Sequence, residues 1–114
     1  MSKKTKRVKI PIYERTLVII ITDEVDDTLA DEGHVDGDPA EASVIVNDDG
    51  DIVVIIRPDA NTNTICHEAF HVTYEVLKSA GMKLGGKSEE AYAYLIGFVA
   101  EKIENEIIKH NKNN

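Results

Sequence analysis

His67-Glu68-Ala69-Phe70-His71 is an HExxH run, and its residue types and spacing point to metal-assisted hydrolysis. On a helix, residues four apart share a face with Cβ atoms roughly 5–6 Å apart. His67 and His71 can then direct imidazole nitrogens at one zinc ion, at the ~2.0–2.1 Å expected for Zn–N bonds. Glu68 lies one step around the helix, beside the metal rather than on it. A carboxylate placed there can take a proton from a zinc-bound water. With 4 histidines and 11 glutamates in 114 residues, roughly 0.01 such runs are expected by chance, so an accidental match is disfavoured. The competing explanation is an amphipathic helix that carries two partly exposed histidines.

The flanking sequence supplies the helix that the motif needs. Asn61-Thr62-Asn63-Thr64 offers several N-cap residues after Pro58, and Gly81 is placed as a C′ residue. Ile65, Ala69, Val72, Val76 and Ala80 recur at spacings of three and four, and Cys66, Phe70, Thr73 and Leu77 broaden the stripe. The spacing predicts a helix over 63–80.

Two histidines leave a catalytic zinc site one protein ligand short. Glu75 is aligned with both, but it lies two turns beyond His67, about 12 Å along the axis. Tyr74 and Leu77 stand where an HExxHxxGxxH site requires glycine and histidine. A second helix is the better source. Ser88 is an N-cap candidate, and the stretch from Glu89 to Ile108 carries an apolar stripe of helical period. The connection 81–87 is short and holds three glycines, so the two helices should pack as neighbours. Glu89 or Glu90 in the first turn can then face the histidine pair. Either one can equally serve to complement the helix dipole.

HExxH followed by a second helix that donates a glutamate resembles the gluzincin arrangement, and the short chain resembles the minimal gluzincins, the minigluzincins. The run Glu90-Ala91-Tyr92-Ala93-Tyr94-Leu95-Ile96-Gly97, of form ExxAYLxG, is similar to small phage- and prophage-encoded HExxH proteins. The resemblance covers roughly residues 64–100. It implies a zincin-like fold and zinc peptidase activity, with His67, His71 and Glu90 as metal ligands and Glu68 as catalytic base. It assigns no residue to the tyrosine or histidine with which larger gluzincins stabilise the oxyanion. Tyr94, one turn after Glu90, and His34 are the candidates.

The remaining sequence bounds the protein. Its length suits one domain with a modest core. Lys3, Lys4, Lys6, Arg7 and Lys9 give the first ten residues a charge of +5, leaving 8 basic and 21 acidic residues, a net −13, elsewhere. Residues 1–10 therefore read as a basic, disordered tail ahead of a single zincin-like domain over 11–110. The acidic body should repel a phosphate backbone, which disfavours nucleic acid, while the gluzincin resemblance implies a peptide or protein as substrate or partner. The single cysteine, Cys66, suits a reducing compartment and reads as core packing. No stretch approaches the ~18 apolar residues of a membrane span, and no signal peptide is recognisable, so a cytosolic setting is expected.

Arg15–Thr22 reads as a buried strand. Acid-rich Asp23–Glu41, with Gly33, Gly37 and Pro39, reads as a loop, either merely solvated or serving as a flap beside the site. Asp36-Gly37-Asp38 and Asp48-Asp49-Gly50-Asp51 lack the spacing of a calcium loop. Asn47-Asp48-Asp49-Gly50 between two β-branched runs predicts an antiparallel hairpin, whose strand Ala42–Val46 could receive an extended peptide. The expected fold is α+β: a small, mainly antiparallel sheet followed by two packed helices.

Overall fold

A computed structural model describes residues 3–31 and 42–113. In chain order the elements are strands β1 (Lys3–Ile10) and β2 (Arg15–Thr22), helix α1 (Val25–Asp31), strands β3 (Ala42–Val46) and β4 (Ile52–Ile56), and helices α2 (Thr62–Ser79) and α3 (Glu89–Lys112). The strands form one sheet in the order β1-β2-β4-β3. The fold is α+β, with α2 and α3 packed together on one face of the sheet.

Two of the three strand pairings are antiparallel, but β2 and β4 run parallel, with Leu17 opposite Ile52 and Ile21 opposite Ile56. The sheet is therefore mixed. A parallel pair needs a long crossover, and the chain between β2 and β4 supplies it with α1 and the hairpin strand β3. The segment expected to be loop at 23–31 thus contains a short helix. Thr22 Oγ1 accepts from the Glu24 N–H at 3.0 Å, and the Thr28 hydroxyl donates to the Glu24 carbonyl at 2.8 Å.

Lys3–Ile10, expected as a disordered tail, is strand β1 and pairs with β2 along its whole length, from Lys3–Thr22 to Ile10–Arg15. The charge run was a misleading signal because edge pairing uses backbone groups alone. Lysines on an edge strand also discourage further pairing with other chains. Ile10 is buried and Val8 packs against the core, while the cations remain in solvent.

Alternation along β2 and β4 divides the core between two faces. Leu17, Ile19, Ile21, Ile52, Val54 and Ile56 meet α2 and α3. Val18, Ile20, Val53 and Ile55 cluster with Val25 of α1 on the other face. These central strands are covered on both sides, so they read as unbroken apolar runs. Ile19 is fully buried at the centre of the helix-covered face. Ile19→Ala should cost about 2–5 kcal/mol of stability through lost transfer energy and the cavity left behind. Urea unfolding checks this; a loss under 1 kcal/mol would show that this core is loosely packed.

Helix α2 is closed at both ends by local hydrogen bonds. Asn61 Oδ1 accepts from the Thr64 N–H at 2.9 Å, a side-chain N-cap. At the far end Gly81 takes φ +80°, its N–H donates to Lys78 O, and the Met82 N–H donates to Leu77 O at 2.8 Å. This is the Schellman arrangement, which favours glycine at C′ because a Cβ is strained at positive φ. Ser88 stands before α3 but makes no side-chain cap. Its hydroxyl instead donates to carbonyls of the connecting loop, Gly85 and Lys83. The Tyr92 hydroxyl ties the same loop to α3 through Met82 O at 3.2 Å.

Candidate metal centre and cleft

The apolar stripe of α2 lies on the sheet, with Ile65, Ala69, Val72 and Val76 buried. That rotation turns the motif toward the edge strand β3. A cleft of about 290 Å³ is lined by Ala42, Ser43 and Val44 of β3 and by His67, Glu68, His71 and Glu75 of α2. A depression of about 320 Å³ continues it toward the N-terminus of α2, past Asn63 and Thr64. Ala42, His67 and Glu68 line both.

His67 Nε2 and His71 Nε2 are 3.2 Å apart, and the rings meet edge to face. Two imidazole nitrogens held at ~2.0–2.1 Å on one tetrahedral ion lie about 3.3 Å apart, so the pair fits a shared zinc. Both histidines are exposed, and an ion could reach them from solvent. Phe70 packs edge-on against His71 with centroids 5.9 Å apart and stacks with Tyr74 at 6.4 Å. Phe70 was expected only to broaden the apolar stripe; it also braces a candidate ligand.

Glu68 is 8% exposed and lines the cleft beside both histidines. Burial pushes its carboxyl above the ordinary value of 4.5, while the charges of His67 and His71 pull it down to a lesser extent. Ionised Glu68 is therefore costlier in the fold than in the unfolded chain. Stability should fall as pH rises from the ordinary carboxylate range through the raised value, where the folded state holds the extra proton. In chelator, Glu68→Gln should raise the melting temperature at pH 7, and the gain should shrink as pH falls through the raised value and be gone below 4.5. An equal gain at both pH values would assign the effect to packing instead of ionisation.

The carboxylates proposed from sequence fall in different places. Glu75 is half-buried in the cleft, with its carboxylate 3.7 Å from Lys78 Nζ. Glu90 is exposed and lines a separate pocket with Ile12, Tyr13, Tyr94 and Phe98. Glu89 is exposed on the same first turn of α3. Among the described residues no three His, Cys, Asp or Glu side chains are gathered as a metal-binding group. The structure thus brings together His67, His71 and Glu68, and not Glu90. Tyr94 lies with Glu90, away from the cleft, and His34 and the Asp36-Gly37-Asp38 run lie outside the described residues.

One other residue differs from expectation. Cys66 is exposed and not part of the core, because it lies about 100° around α2 from the sheet-facing Ile65. Asp48-Asp49-Gly50-Asp51 is committed to the hairpin. Asn47 Oδ1 accepts from the N–H groups of Asp49 and Asp51, Gly50 takes φ +83°, and Asp51 pairs with Arg7 at 3.0 Å.

Comparison with protein-family models, curated proteins and solved structures finds no match to this chain. No helix among the described residues is long and apolar enough to cross a membrane.

Proposed function

We propose that this protein is a small zinc-dependent peptidase of the reducing cytosol. The observation that carries this reading is the His67–His71 nitrogen pair at 3.2 Å, set with Glu68 in a cleft beside an edge strand. His67 and His71 would hold the ion through their Nε2 atoms. Zinc, when bound, supplies a Lewis acid that makes water nucleophilic near neutral pH. The chain's own groups do the rest. Glu68 accepts the proton of the attacking water on its carboxylate and passes it to the departing amine nitrogen. The outer edge of β3 offers backbone N–H and C=O groups to an extended peptide, which would add as a further strand along the cleft.

One observation favours a second reading. No three ligands are gathered as a metal-binding group among the described residues, so the protein could keep a weak metal site and act by docking a host or phage protein in the same cleft. Cleavage of a peptide library, abolished by chelator and restored by zinc, supports the peptidase; no turnover on any peptide selects the docking reading. Zinc affinities of the Glu75→Ala, Glu89→Ala and Glu90→Ala variants identify the third carboxylate. Given its placement, Glu90→Ala is expected to retain zinc. Loss confined to that variant would restore the ligand set implied by the gluzincin resemblance.

A further inference from the structure

We propose that the pocket between the β1–β2 turn and α3 binds a quaternary ammonium group, independently of the HExxH cleft. The pocket measures about 380 Å³ and gathers three aromatic rings and one carboxylate: Tyr13 from the turn, and Tyr94, Phe98 and Glu90 from α3. Glu90, Tyr94 and Phe98 are spaced by four residues, so they form one stripe along the helix. Tyr13 reaches the same pocket from more than 75 positions earlier in the chain.

The turn that presents Tyr13 is held in an unusual form. Ile12 has φ +75° and Glu14 φ +53°, and the Tyr13 N–H donates back to Pro11 O at 2.8 Å. A β-branched residue rarely adopts positive φ, and such conformations persist where the surroundings enforce them, often at binding sites. The turn also leaves Ile12 91% exposed beside Tyr94 at 79%. Two large apolar side chains thus stand in water at the rim of a concave, mostly apolar site.

Charge selects the occupant. Aromatic faces attract cations, and quaternary ammonium groups are recognised by rings grouped in this way. The Glu90 carboxylate makes no hydrogen bond or ion pair with any described residue, and Glu89 adds a second negative charge next to it. Together they outweigh the roughly half positive charge of the α3 N-terminus. Lys102 Nζ lies 5.2 Å from the Phe98 ring centroid and does not line the pocket. A primary ammonium keeps its hydration unless several acceptors replace it, and this pocket offers one carboxylate. A quaternary ammonium needs none. A second copy of the chain fits less well, since it carries the same charge of −8.

The test is titration of the full chain with choline, followed by amide and tyrosine-ring NMR shifts at matched ionic strength. Saturable shifts are expected at Tyr13, Glu90 and Tyr94. The uncharged isostere 3,3-dimethylbutanol and the primary amine ethanolamine should each bind at least about fivefold more weakly. Glu90→Gln and Tyr94→Ala should each weaken choline by a similar factor, with unchanged melting temperature and zinc content. Equal binding of the isostere would reduce the site to an apolar pocket, and equal binding of ethanolamine would exclude quaternary selectivity. Either result overturns the proposal. So would an absence of saturation at these residues, concentration-dependent self-association that removes the shifts, or loss of zinc in Glu90→Gln. Choline binding and peptide turnover are separate readouts, so failure of one leaves the other standing.

Discussion

Glu68→Gln is expected to keep the fold and the zinc while lowering peptide turnover by ~10²–10⁴, the range of a general-base contribution. Glutamine nearly matches glutamate in size and can still hydrogen-bond a water, but it cannot accept that water's proton. The metal should persist because the two nitrogens that face each other at 3.2 Å belong to His67 and His71. Steady-state rates and elemental analysis on the same preparations give the answer. Wild-type turnover in the variant would remove Glu68 as the base. Loss of zinc would instead make Glu68 a ligand or a support for the ligands.

His67→Ala should remove most of the bound zinc, from about one ion per chain to near none. One remaining imidazole on an exposed helix face has no second nitrogen with which to chelate, and no other group of ligands is gathered among the described residues. The fold should survive, since His67 is exposed and the sheet-facing stripe of α2 is untouched. Circular dichroism and metal analysis separate the two effects. Equal zinc in wild type and variant would place the metal elsewhere in the chain.

Several parts of this protein follow from local sequence alone. The limits of α2 are written in Asn61 and Gly81, because an N-cap hydrogen bond and a Schellman turn are made by neighbouring residues. The hairpin of β3 and β4 is likewise legible in Asn47-Asp48-Asp49-Gly50. The meeting of His67 with His71 needs only one helical turn. Contacts between distant segments were decided by the tertiary structure. The parallel pairing of β2 with β4 leaves no local mark, since both read as buried runs whichever way they run. The basic start reads as a tail until β2 offers it a backbone to pair with. Glu90 shows the limit most sharply. Its place in the first turn of α3 is legible from sequence, but the rotation of that helix is set by Tyr92, Leu95, Val99 and Ile103 packing into the core. That rotation takes Glu90 to the pocket beneath Ile12 and Tyr13 and away from the histidines, because a helix buries its widest apolar stripe first and its polar residues go where that leaves them.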